Sequence, residues 1–178
     1  MRDRRFVAVH RGGPLDLAEH RLLAVWAADC AEHVLSLFEA GRSDDRPRRA
    51  IETARAWARG EVSVGDARKA AVRAHAAARE TRNKAATAAA RAAGHAVATA
   101  HMADHCLGTA FYALRAVEAS GAPGELVRVW QVRQLPGDVR ELVISGLESR
   151  TTRGVGWRQS FCSLGNCPPG AVASCGSP

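Results

Sequence analysis

Apolar side chains recur at helical spacing along the first third of the chain. Leu22, Leu23, Trp26, Cys30, Val34 and Leu37 fall within one arc at about 100° per residue, while Arg21, Glu32 and Glu39 fall opposite. This pattern predicts an amphipathic helix from Asp16, whose carboxylate can accept from the first free amides, to about Ala40, with Gly41 as its stop. A second helix starts at Asp44 or Asp45 with Pro47 in its first turn, where a missing N–H costs nothing, and turns Ile51, Ala54, Trp57 and Ala58 inward. Its Arg48–Glu52 and Glu52–Arg55 spacings put opposite charges one turn apart on a solvated face.

Ser63-Val64-Gly65-Asp66 reads as a capping box with Asp in place of Glu, opening an Ala-rich helix to about Glu80. After a break at Thr81-Arg82-Asn83, a long helix is expected from about Ala85 to Ala119. It is apolar nearly all round between Val97 and Val117, as a central bundle helix would be, and Gly108 is a candidate bend. Gly121-Ala122-Pro123-Gly124 forces a loop. The stretch from Glu125 to Leu135 carries β-branched residues but has no strand to pair with, so it reads as a helix; Pro136 and Asp138 begin a last short one through about Leu147. The expected fold is all-α: one bundle of about six helices over residues 1–148, followed by a disordered tail over 149–178 where Gly, Ser, Pro and Cys replace the periodicity.

Length and composition fit one domain: 178 residues, 47% hydrophobic and 24% charged. Ala fills half of positions 67–100, so helices there can approach closely but bury little area each. The core then leans on a few large side chains, Trp26, Phe38, Trp57, Phe111, Tyr112 and Trp130. The formal charge of +7 falls to +4 once Arg150, Arg153 and Arg158, which follow the last carboxylate Glu148, are set aside. Arg alternates with Asp and Glu along the helices rather than forming a basic stripe, which argues against nucleic-acid binding. No apolar run reaches the ~20 residues of a bilayer span, and Phe6-Val7-Ala8-Val9 is too short for a signal-peptide core, so a cytoplasmic protein with reduced thiols is expected. Cys30 and Cys106 sit in helical patterns as small buried apolar groups.

Three segments carry a family likeness. Arg11-Gly12-Gly13-Pro14-Leu15, the run from His20 through Trp26-Ala27-Ala28-Asp29-Cys30-Ala31-Glu32-His33 to Leu35, and Asp45-Arg46-Pro47-Arg48-Arg49-Ala50-Ile51-Glu52 with Ala56-Trp57-Ala58-Arg59-Gly60-Glu61 together resemble immunity proteins of bacterial polymorphic-toxin systems, the all-α immunity family five and its relatives. The likeness spans about Phe6 to Leu147. It implies a small cytoplasmic protein that binds and neutralises a cognate toxin, with no cofactor and no catalysis of its own.

Other chemistry has weaker support. Asp29 and His33 stand one turn apart, and His101, Asp104 and His105 repeat that spacing, so facing helices could offer four N and O ligands to a metal. No Glu-x-x-His or His-Glu-x-x-His frame accompanies them, and a carboxylate bonded to a histidine or arginine in the packing is the better reading. No recognised frame surrounds either helical cysteine, and Arg11-Gly12-Gly13-Pro14 lacks the strand and the Lys-Ser/Thr ending of a phosphate loop. Cys162, Cys167 and Cys175 fall one short of a four-ligand zinc site. Besides toxin binding, two functions stand open: a metal-dependent helical-bundle enzyme, and a helical adaptor with no toxin partner. Oligomeric state and interface residues are not legible.

Overall fold

The computed structural model describes residues 3–150. Two 3-10 turns, Arg4–Phe6 and Val9–Arg11, precede eight helices: α1 Leu17–Glu32, α2 Ser36–Glu39, α3 Arg46–Arg59, α4 Val64–Arg79, α5 Lys84–Ala98, α6 His105–Ala119, α7 Gly124–Arg133 and α8 Gly137–Arg150. Among the described residues the only extended pairing is an isolated bridge between Ala8 and Leu15. The fold is all-α, as the periodicity implies. The Cys-bearing tail lies outside the described residues.

Most boundaries follow local chemistry. Asp16 accepts from the Glu19 amide at 2.8 Å while the Glu19 carboxylate accepts from the Asp16 amide at 3.3 Å, a reciprocal box that satisfies two free donors at the start of α1. Ser63 and Asn83 cap α4 and α5 in the same sense, accepting from the amides of Asp66 and Ala86. Asp45 makes no such cap bond at α3; Asp44 instead accepts from the Arg46 amide at 3.1 Å. Gly60 ends α3 at φ +82°, a left-handed conformation that side chains with a Cβ resist.

Two expected helices are each divided. The first stops at Glu32, where the Val34 and Leu35 amides bond to the carbonyls three residues back. The tightened turn buries Val34, Leu35 and Phe38 together. The 85–119 helix, which would run about 50 Å, breaks at residues 99–104 through similar short-range bonds, among them Ala100 N–H to Val97 and His101 N–H to Ala98. Folding back lets α6 lie antiparallel along α5, so their Ala-rich faces cover one another. α6 continues as one helix through Gly108. At the other end α8 continues past Leu147 to Arg150. The helix expected at 125–135 forms as α7.

α5 is the centre of the bundle, packing against α1, α2, α3, α4 and α6. Eleven of its fifteen residues are buried, and nine of these are Ala. Trp26, Phe38 and Trp57 are core residues as expected, with Phe6 wholly buried beside them. Phe111, Tyr112 and Trp130 are only half-buried, on the edges of the core. Trp26 Nε1 donates to the Gln131 carbonyl at 2.9 Å, and the buried Gln131 amide donates to the Ala110 carbonyl at 3.2 Å, which ties α1, α7 and α6 through one indole.

Candidate functional surface

The side chains with the greatest chemical potential are drawn into the packing. Asp29 accepts from Arg55 of α3 at 2.6 Å, and the same guanidinium reaches Glu32 at 2.6 Å. His33 stacks on Trp130 of α7, ring centroids 3.9 Å apart and 18° from parallel. His101 lies in the α5–α6 connection and His105 in the first turn of α6, their rings 5.1 Å apart. The proposed ligands Asp29, His33, His101 and His105 therefore face three different neighbours instead of one point. Among the described residues no three His, Cys, Asp or Glu side chains converge as a metal would require. Asp104 pairs with Arg150 at 3.0 Å, in line with a buried carboxylate needing a cation. Arg48 pairs with Glu39 and Arg55 with Asp29 and Glu32, across helices rather than with Glu52 one turn away.

A chain of imidazoles runs through the α4–α6 side. His75 meets His95 edge-on at 5.3 Å, His95 meets His105 at 5.2 Å with Nδ1 to Nδ1 at 3.1 Å, and His95 stacks on Tyr112 at 5.1 Å. Two glycines make room for it. A Cβ on Gly94 would lie 2.6 Å from His75, and one on Gly108 would lie 2.8 Å from His95. Burial, aided by His105, His75 and the guanidinium of Arg150, lowers the His95 pKa to about 3; burial likewise lowers those of His75 and His105. These rings are neutral at physiological pH. Sequence patterning singled out His101 and His105 but missed His75 and His95. The available signal was a glycine inside each of two Ala-rich helices, since Gly costs up to about 1 kcal/mol there relative to Ala and calls for a packing reason.

Cys30 and Cys106 are fully buried, and desolvation raises both thiol pKa values, so neither is a thiolate nucleophile in this setting.

Among the described residues, two charged grooves differ in character. The first, of about 750 Å³, lies along α3 and α4 and is lined by Arg46, Arg48, Arg49, Arg59 and Arg73. Four of these five are neutralised. Arg46 bonds Asp44 and Glu80, Arg48 bonds Glu39 at 2.7 Å, Arg49 bonds Asp45 at 2.6 Å and Arg59 bonds Glu61 at 2.7 Å. The second, of about 450 Å³, lies between α5 and α6. Lys84, Arg91 and Arg115 line it above Ala88, Ala119 and Tyr112. Among the described residues no carboxylate pairs with any of the three. An adjoining cavity of about 420 Å³ continues past Tyr112 to Phe111 and Gly108. Sequence composition mirrors the difference: residues 16–61 hold nine acidic and seven basic side chains, residues 62–123 four acidic and eight basic.

Residues 13–138 match the family model described as "Imm-5 like putative immunity protein". The chain belongs to this family. The match begins in the Gly-Gly turn and covers α1 through α7, stopping at the start of α8, and so lies inside the 6–147 span of the sequence likeness. No curated protein and no solved structure matches the chain. Among the described residues no helix is long and apolar enough to cross a membrane.

Proposed function

We propose that this protein is an immunity protein that acts by binding: it docks on a cognate bacterial toxin in the cytoplasm and covers the toxin's active or target-binding surface. Family membership over residues 13–138 carries the reading. The geometry supports it in a second way, because the histidines, cysteines and carboxylates that could serve catalysis are committed to one another or to the core, whereas charged and aromatic groups remain on rigid helical faces. Helix-borne side chains suit a neutralising interface, since little ordering entropy is lost when the partner arrives.

The test is co-expression with the C-terminal domain of a large secreted protein encoded beside this gene. Growth rescued by the full chain, together with recovery of a stoichiometric complex, is the expected result. Failure to rescue, with no complex formed, would refute the proposal. Rescue that depends on added metal, or that is lost in a folded variant lacking both His101 and His105, would replace it with a metal-dependent activity.

A further inference from the structure

We propose that the α5–α6 groove is the surface that receives the toxin, and that what it receives is an acidic segment presenting an apolar or aromatic side chain between its carboxylates. The proposal rests on the immunity reading above and adds a location and a partner chemistry to it. Exposed arginines abound on this protein, so exposure alone selects nothing. What distinguishes Lys84, Arg91 and Arg115 is that all three are exposed, share one groove, and have no carboxylate of their own among the described residues. The one acid beside them, Glu118, makes no ion pair there. In the α3–α4 groove, by contrast, an incoming carboxylate would have to displace Asp44, Asp45, Glu39, Glu61 or Glu80 from an existing bond. Three uncompensated cations gain a partner without losing one, and like-charged neighbours held along two helices attract acidic groups from a distance.

The groove also has an apolar part. Buried Ala88, half-buried Tyr112 and exposed Ala119 line it, and the adjoining cavity, which shares Tyr112 and Arg115 with it, adds half-buried Phe111. Arg91 sits over the Tyr112 ring at 5.6 Å, and His95 stacks on that ring within the bundle, so the aromatic is fixed before anything binds. Arg and Tyr on a preorganised face are the residue types that concentrate binding energy at protein interfaces. Two other occupants fit less well. The chain's own residues 151–178 follow Arg150, which borders the cavity, yet they contain Arg153 and Arg158 and no acid, so charge opposes their entry. A nucleic acid would find three phosphate contacts in the groove, too few for the affinity that extended basic stripes give.

The decisive experiment uses the full chain and the neighbouring toxin domain, with two triple charge reversals of equal size. One is Lys84→Glu, Arg91→Glu and Arg115→Glu; the other is Arg68→Glu, Lys69→Glu and Arg73→Glu on α4. The groove reversal should weaken the complex by roughly 100-fold or more and abolish growth rescue, with the melting temperature unchanged; the α4 reversal should stay within about threefold of wild type. If the wild-type chain binds the toxin and the groove reversal binds equally well, the location is wrong while the immunity function stands. If wild type does not bind the toxin, the function is wrong. The groove's own chemistry is then read with a soluble glutamate–tyrosine copolymer, where binding lost on groove reversal supports an acidic-partner site and absence of binding overturns it. Tighter capture of a 20-nucleotide single strand than of the copolymer would likewise overturn the choice of partner. Should the triple reversal not fold, Lys84→Ala and Arg115→Ala substitute for it, each with an expected loss of roughly tenfold.

Discussion

Arginine is used in two ways, on α3 and along α5 and α6. On α3, each of Arg46, Arg48, Arg49, Arg55 and Arg59 is held by at least one carboxylate, and Arg46 and Arg55 bridge to neighbouring helices. Along α5 and α6, Arg91 and Arg115 have no such partner among the described residues, and their surroundings are alanine, aromatic rings and neutral histidines. Composition alone counts these arginines as equivalent. The geometry separates charges spent on the scaffold from charges left for another molecule, and it is the second kind that can carry recognition.

The comparison presumes one cooperative core beneath both faces, and Trp26 is where that presumption is easiest to break. Its indole is buried and linked through Gln131 to the Ala110 carbonyl of α6. Trp26→Ala should cost about 3–5 kcal/mol and lower the midpoint for all helices in a single transition by circular dichroism. A loss below about 1 kcal/mol, or two separate transitions, would mean that the faces rest on separate cores.

The parts of this picture legible in sequence are those set by local signals. Caps and turn residues placed the starts of α1, α3 and α4, because Asp16, Pro47 and Ser63 act within a turn of their own position, whereas α7 followed from the lack of any strand for it to pair with. The division at residues 99–104 had no Gly or Pro to announce it; it exists because two Ala-rich faces bury more when folded against each other than when extended. The family likeness was legible, but the groove was not. Its three cations come from residues 84, 91 and 115, and only the antiparallel return of α6 brings the last beside the others. The weaker alternative of a metal at Asp29, His33, His101 and His105 shows what spacing leaves out: equal spacing on two helices says nothing about whether those faces meet.

Acid should sharpen the contrast. His75, His95 and His105 have folded pKa values below the ordinary histidine value, with His95 near 3, and the charged groups facing them are Arg79, Arg91, Arg150 and the carboxylate of Asp104. Below about pH 6.5 the unfolded chain binds protons that the folded cluster refuses, so stability complete above that pH is lost as the pH falls toward 3. The slope is at most about 1.4 kcal/mol per pH unit for each histidine. The α3 side fails later. Arg55 holds the Glu32 pKa down and Arg46 those of Asp44 and Glu80, so their contribution persists until the pH passes below the ordinary carboxylate range. Hydrogen exchange at pH 5 should therefore show loss of protection in α5 and α6 ahead of α3, and His95→Gln should flatten the urea midpoint between pH 7 and 5. Equal or earlier loss in α3 would erase the distinction.

The bridging arginine of α3 tests the scaffold half directly. Arg55 is half-buried between Asp29 and Glu32, and Arg55→Ala leaves both carboxylates of α1 facing each other without a cation. Solvent screens part of the loss, so roughly 1 kcal/mol is expected from denaturant midpoints, falling at high salt. No change would demote the α1–α3 pairs to surface decoration.

The smallest effect is the most telling for the other half. Lys84→Ala and Arg115→Ala remove exposed cations that no carboxylate holds, so their stabilities should remain within about 0.5 kcal/mol of wild type at low and high salt alike. Removing Arg115 also relieves repulsion with the rest of the basic α4–α6 side, which tilts the expected sign toward slight stabilisation at low ionic strength. A loss above about 1 kcal/mol would show that Arg115 is bound into the fold after all, either through its stem against Tyr112 and Phe111 or through its charge. Arg115→Met would separate these causes, because it keeps an apolar stem without the guanidinium: stability restored by Met would mean packing, and stability still lost would mean an unrecognised ionic partner.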